Sequence, residues 1–411
     1  MKIVHDKEIK IDICEKYFFD NRLLAIYEIA IASNVLYRLG NPICKERVAI
    51  IIDGYLEESL KQILEKYISE TMNQRTMIRY NCITQNVSVK IINKDTEYVE
   101  YLAYTGKVDY ECLLLYSNGL DSYLSYEILS QRYVVHKTSW SEEGSEESDK
   151  PYPLILNTYN YTYIDTFDND PWDNYGLYFI YLALLLNQAI YNNVNKISIG
   201  LNKDDLFGYD IIANRKISSQ CSQSRDFVTI FQKISNVYHV SLVLPLENMT
   251  RIDICKTMIE RKIDFSQSVS CVFYDGIECG MCFSCFDKLT GILIALAELD
   301  KSDKVTIKME NGNFCLRYEG NILMSFKNNI NSFDSLEKIP IDYIMKVQLN
   351  RIILGEDFDY IRSSKYSIVN VLKVLYYFSK HEIGNVLFPG ACILYKNHER
   401  QYIEILDEYK L

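Results

Sequence analysis

An apolar run, Glu111 to Tyr116, ends at Ser117-Asn118-Gly119-Leu120-Asp121-Ser122, and helical spacing begins at Asp121 and holds to about Arg132. A buried strand that passes through a short glycine-containing loop straight into a helix belongs in a parallel sheet, whose strands are joined by helical crossovers. The alternation continues. Val134 to Ser139 and Leu154 to Asn157 are strand candidates, Leu177 opens an apolar helix, and Lys196 to Gly200 and Val240 to Leu244 add two strands. The predicted class is therefore α/β, a parallel sheet with helices on both faces.

The loop also has chemistry. Between a strand and a helix N-terminus, unpaired backbone N–H groups and the helix dipole favour an anion. Ser117 and Ser122 can donate hydroxyl hydrogen bonds to phosphate oxygens. Gly119 lets backbone approach closely, and Asp121 can hold Mg²⁺ or cap the helix. The bland alternative is an ordinary β-turn-α junction with a capping aspartate.

At 411 residues the chain is too long for one ordinary core. We expect three segments: an N-terminal α/β extension at 1–108, the central domain at 109–299 and a C-terminal α+β domain at 300–411. In the first, Asn21 to Gly40 is apolar almost all round, as a helix buried on several sides would be. Asp53 is placed to cap a helix carrying Leu56, Leu60, Ile63, Leu64 and Tyr67, and Val87 to Ile91 alternates as a strand. In the last, Asn311-Gly312 between Val305–Met309 and Phe314–Tyr318 signals a hairpin. A helix over Ile368 to Phe378 and strands at Ala391 to Tyr395 and Tyr402 to Leu406 are expected to follow it. Ser141 to Asp149 holds five acids and is expected to be a solvated loop or a lid.

A net charge of −11 argues against a general nucleic-acid or anionic-membrane surface. The longest apolar run, Leu177 to Leu186, is ten residues, short of the roughly 20 that a bilayer needs. With no apolar leader after Met1, the chain is expected to be cytoplasmic. Eight of its twelve cysteines are scattered, as small core residues are, but Cys271, Cys279, Cys282 and Cys285 fall within fifteen residues. Four thiolates at that spacing suit a closed, structural tetrahedral Zn²⁺ site. An iron–sulfur cluster is the competitor, although the further Cys-Pro of a ferredoxin run is missing after Cys285.

The loop resembles that of the PP-loop ATP pyrophosphatases, usually Ser-Gly-Gly-x-Asp-Ser, with Asn118 standing where the first glycine is usual. With Tyr274-Asp275-Gly276 and Cys279-Gly280-Met281-Cys282-Phe283-Ser284-Cys285, the chain resembles one branch, the 7-cyano-7-deazaguanine synthases (QueC). Gly200 to Asp210 looks like that family's Gly-x-Asn-x-x-Asp-x-x-Gly-Tyr-Pro-Asp without its proline, and Arg251-Ile252-Asp253-Ile254 like its Lys-x-Glu-Ile. The likeness covers about residues 109 to 298.

It implies a HUP-like core, ATP with Mg²⁺, and adenylation of 7-carboxy-7-deazaguanine followed by amide and then nitrile formation. It further implies Asn202, Asp205, Tyr209 and Asp210 near the deazaguanine, and Arg251 near phosphate or carboxylate. Asp205 and Asp210 can equally be turn formers, and Asp253 can simply complete a capping box with Thr250. The family's Pro-Gly-Arg-Asn and Asp-Tyr-Gly-Gln segments are absent and both outer segments are additional. QueC-like proteins with added domains occur in anti-phage operons, which implies a diverged member, an altered acceptor and a protein partner through the extra domains. A housekeeping synthase, a tRNA-modifying PP-loop enzyme and a non-catalytic nucleotide-binding scaffold are the alternatives.

Overall fold

The computed structural model describes residues 2–4, 8–13, 18–39, 47–80, 87–100, 108–141, 154–155, 159–162, 176–207, 210–212, 215–217, 221–271, 274–278, 284–285, 288, 291–292, 295–296, 299, 301 and 305–327. The acidic residues from Glu142 onward and the elements expected after residue 327 lie outside these. In chain order the elements are β1 (Lys2–Val4), β2 (Glu8–Ile13), α1 (Asn21–Leu39), β3 (Arg47–Ile52), α2 (Glu58–Tyr80), β4 (Ser88–Asn93), β5 (Cys112–Leu115) and α3 (Leu120–Leu129). There follow β6 (Val135–Thr138), β7 (Trp140–Ser141), β8 (Leu154–Ile155), β9 (Tyr159–Thr162), α4 (Leu177–Tyr191), β10 (Lys196–Ile199) and α5 (Lys203–Phe207). The rest are β11 (Asp210–Ile212), β12 (Arg215–Ile217), α6 (Arg225–Asn236), β13 (Ser241–Val243), α7 (Arg251–Arg261), β14 (Val305–Glu310), β15 (Asn313–Tyr318) and β16 (Asn321–Lys327). Among the described residues no helix is long and apolar enough to cross a membrane.

The chain divides into two compact units. The first contains residues 1–117, 125–201 and 205–245, and its core is built on its two larger sheets. One is wholly parallel, in the order β13-β10-β5-β6. All four residues of β5 are buried, which is what a strand covered on both faces requires. Leu113 and Leu115 join the core formed with α1, α4 and α6, while Cys112 and Leu114 turn the other way and pack with Leu129, Tyr126 and Tyr133. Helices therefore cover both faces, as the alternation predicts.

The second sheet, β4-β3-β1-β2-β9, pairs β3 with β4 in parallel and the others antiparallel. It shares the first unit's core, with Ile50, Val89 and Ile91 joining α1 and α4. One expectation is corrected here. Residues 47–52, between the two expected helices, form β3, and Asp53 does not cap α2, which begins at Glu58. Asp53 instead lies in the turn after β3. Its N–H donates to Glu28 and its carboxylate pairs with Lys94.

The second unit contains residues 118–124, 202–204 and 246 onward. It holds α7 and the antiparallel sheet β14-β15-β16. Asn311 and Gly312 both have positive φ, 52° and 80°, which gives the expected hairpin the twist its strands need. A second turn with two positive φ values, Glu319-Gly320, adds β16, which the sequence had not announced.

Candidate nucleotide site

The loop residues from Asn118 to Leu124 belong to the second unit, together with Asn202–Asp204 and α7. Asn118 has φ 60°, the left-handed conformation for which glycine is usual and which Asn adopts more readily than other side chains. Its carbonyl accepts from the Val269 N–H at 2.8 Å, and the Leu120 N–H donates to Ser270 Oγ at 3.4 Å. The loop thus rests on the extended segment Ser268-Val269-Ser270. Helix α3 opens at Leu120, so the amides of its first turn have no acceptor within the helix and point at the loop.

Asp121, in that first turn, is paired with Arg251 at the first position of α7, with Nη1 2.5 Å from Oδ1. Their side chains keep 21% and 16% of their exposure, so the pair is reachable from solvent. Two helix N-termini therefore meet. They are not equivalent. Helix α7 is satisfied by its own residues: the Thr250 hydroxyl accepts from the Asp253 N–H, and Asp253 accepts from the Thr250 N–H. The Arg251 N–H donates to Asp204 Oδ2 at 2.9 Å. Asp253 is thus a capping residue, the bland option for it. The stem of Arg251 lies against Gly291, where an added Cβ would come within 2.9 Å of its Cγ.

The donor set suits a nucleotide polyphosphate. The α3 amides and the Arg251 guanidinium attract anionic oxygen, and the Asp121 carboxylate is a hard ligand of the type Mg²⁺ takes. Ser122 is less ready for the role expected of it. It is 5% exposed, and its hydroxyl donates to the Gly119 carbonyl at 3.0 Å, so it must leave that bond to reach a phosphate. Ser117 is exposed and ends the first unit's strand segment.

Of the residues expected at the deazaguanine, Asn202 is buried at 1% exposure, next to Lys203, whose N–H donates to the Met249 carbonyl. Asp205 is half-buried in α5. Asp210 opens β11, its backbone paired with Ile217, and Tyr209 lies outside the described residues. Sequence reasoning singled out Asp205 but missed its neighbour Asp204, the residue that receives Arg251. Adjacent aspartates on a short helix face different ways, and spacing alone does not say which faces α7.

Of the cysteine set, Cys271 is half-buried and Cys285 fully buried, while Cys279 and Cys282 lie outside the described residues. Among the described residues no group of three or more His, Cys, Asp or Glu could hold a metal. Interleaved with the cysteine stretch is another pair that sequence reasoning missed, Glu278 with Lys288 just after Cys285, its side chains 7% and 2% exposed.

Comparison with known proteins bears on part of this chain. Residues 173–295 match the model of a family described as Queuosine biosynthesis protein QueC. The matched segment includes Asn202, Arg251 and all four clustered cysteines, and begins after the loop at 117–122. The chain is 30% identical over 116 residues to the 7-cyano-7-deazaguanine synthase of Pseudomonas fluorescens (strain SBW25), an alignment covering 26% of this chain and 47% of that protein. It is 31% identical over 123 residues to the enzyme of the same name from Pelobacter propionicus, covering 27% and 50%. The chain thus spans about half the length of the curated relatives it matches. No solved structure matches it. Residues 173–295 of the α/β core are thus similar to QueC proteins.

Proposed function

We propose that the chain is an ATP-dependent carbon–nitrogen ligase that adenylates a 7-carboxy-7-deazaguanine-type carboxylate. The carboxylate oxygen attacks the α-phosphorus of ATP, pyrophosphate leaves, and an acyl adenylate forms. Ammonia then displaces AMP to give the amide, and a second adenylation followed by loss of AMP gives the nitrile. The observation that carries this reading is the Asp121–Arg251 pair at the first turn of α3, where an attacked phosphate would need both charge neutralisation and a metal ligand. The QueC-like segment supplies the substrate class.

In this proposal Ser117, Asp121 and Ser122 act on the polyphosphate, and Asn118, Gly119 and Leu120 cradle it. Asn202, Asp205, Tyr209, Asp210 and Arg251 face the substrate, and Cys271, Cys279, Cys282 and Cys285 hold a structural zinc. The proposal keeps the segments 1–108, 109–299 and 300–411, the outer two as docking surfaces for a protein partner. It places the chain in bacterial antiviral defence, with the activated deazaguanine passed to a macromolecule instead of to ammonia alone.

The purified protein is to be incubated with 7-carboxy-7-deazaguanine, ATP, Mg²⁺ and ammonia, and the products read by mass spectrometry. Adenylate, amide or nitrile is expected, with AMP and pyrophosphate, and Asp121→Ala is expected to abolish them. Failure to turn over ATP with any deazapurine defeats the proposal.

A further inference from the structure

The loop from Asn118 to Leu120 rests on Val269 and Ser270, and these two are themselves held in an unusual way. The Ser270 N–H donates to Glu278 Oε1 at 3.0 Å, and Lys288 Nζ donates to the Ser268 carbonyl at 2.7 Å. Glu278 and Lys288 are paired with each other, Nζ lying 3.2 Å from both carboxylate oxygens. All three ammonium hydrogens are therefore used, and one buried ion pair grips both ends of the tripeptide under the loop. The backbone of Glu278 reaches a further element: its carbonyl accepts from the Lys327 N–H at 2.9 Å, and it forms a parallel bridge with Phe326 of β16.

A buried ion pair is a poor source of stability, because the desolvation of both charges offsets most of their attraction. What such a pair does supply is fixed geometry, provided its hydrogen bonds are satisfied. Ordinary packing would have supported Ser268–Ser270 without placing two charges in the interior. Strand β16 also lies beyond residue 295, where the QueC-like match ends.

We infer that Glu278 and Lys288 are positioning residues for the nucleotide loop, fixing Val269 and Ser270 beneath Asn118 and Leu120 and tying them to β16. This deepens the proposed function and rests on it, since the loop must bind ATP for its position to matter. Neither residue touches the nucleotide in this account. Both act through Ser270 and Val269.

The test uses the full chain and a non-cleavable ATP analogue with Mg²⁺, followed by calorimetry, so that binding is read without the deazaguanine substrate. Glu278→Gln and Lys288→Met each leave a charge buried alone and are expected to lower the melting temperature. The double variant Glu278→Gln/Lys288→Met removes both charges at similar volume and is expected to melt close to the parent. It is nevertheless expected to bind the analogue roughly 10- to 100-fold more weakly, the scale on which small displacements of a site are felt. Lys288→Arg, which keeps the charge, is expected to recover part of that loss.

A double variant with parental affinity overturns the inference, as does one that loses a metal the parent retains, since the effect would then run through the cysteines. An affinity loss that follows melting temperature across all four variants makes the pair merely structural and also overturns it. If the parent protein itself binds no analogue, the proposed function falls and the inference with it.

Discussion

Asn118 is the residue at which the loop departs from the glycine usual in the PP-loop pattern it resembles, and its φ of 60° is a conformation that asparagine tolerates. Asparagine enters the left-handed region at modest cost, whereas a β-branched side chain does not. Asn118→Gly is expected to change stability by no more than about 1 kcal/mol and to leave ATP turnover in place. Asn118→Val is expected to cost roughly 1–2 kcal/mol and to weaken ATP binding. Urea unfolding and AMP release check both, and a valine variant as stable and active as the parent contradicts the account.

A second residue, Glu28, makes a pH prediction. It is 1% exposed in the middle of α1 and accepts from the Asp53 and Gly54 amides. Burial pushes its carboxyl up to about 7, and the amide hydrogen bonds only partly oppose this. The folded protein therefore holds this proton more tightly than the unfolded chain. The resulting stability is fully present below about pH 4.5 and is lost as pH rises through about 7. At about 1.4 kcal/mol for each pH unit between those values, the loss is roughly 3 kcal/mol. Glu28→Gln is expected to flatten stability over that range in denaturant titrations. A parental slope in the variant would place the titration elsewhere.

Among the elements, legibility followed periodicity. Helices α1 and α4 were visible because nearly every position is apolar, and β5, β6, β10 and β13 because short apolar runs recur between helical stretches. The Asn311-Gly312 hairpin was visible because its turn needs two positive φ values. Strand β3 was not singled out because its run, Arg-Val-Ala-Ile-Ile-Ile, is a short apolar stretch between two helical patterns, and Asp53 just after it looked like the cap of α2. The neighbouring glycine says otherwise. A Cβ on Gly54 would lie 2.3 Å from the Asn21 carbonyl oxygen and 2.7 Å from the Ala25 amide nitrogen, so the turn after β3 packs directly on the backbone of α1.

Gly54→Ala is accordingly expected to destabilise the protein by about 1–3 kcal/mol, the usual cost of overpacking, and a thermal melt equal to the parent's would refute that contact. At the candidate site the loop, Asp121 and Arg251 were legible as residue types in a known order, but their pairing was not. The same holds for Asp204, Glu278 and Lys288. Their roles depend on contacts between segments up to 150 residues apart, which no local pattern records.

At the scale of the molecule, charge separates the proposed small-molecule ligase from a tRNA-modifying PP-loop enzyme. A protein that grips tRNA neutralises several phosphates with Lys and Arg, and its affinity falls steeply with salt. This chain has 44 basic against 55 acidic residues. The lysine and arginine pairs described include Arg251 with Asp121, Lys288 with Glu278, Arg22 with Glu57 and Arg317 with Glu310. Each such cation already answers an acid of the same chain. We therefore expect no tRNA complex in a mobility-shift titration at about 150 mM salt, where a Debye length is about 8 Å. Whatever weak binding appears at lower salt should be equal for tRNA and for an unrelated RNA of the same length. A complex that survives physiological salt and prefers tRNA would mean that a basic face is assembled despite the net charge. The acceptor of the adenylate would then be sought in the nucleic acid instead of in ammonia or a protein partner.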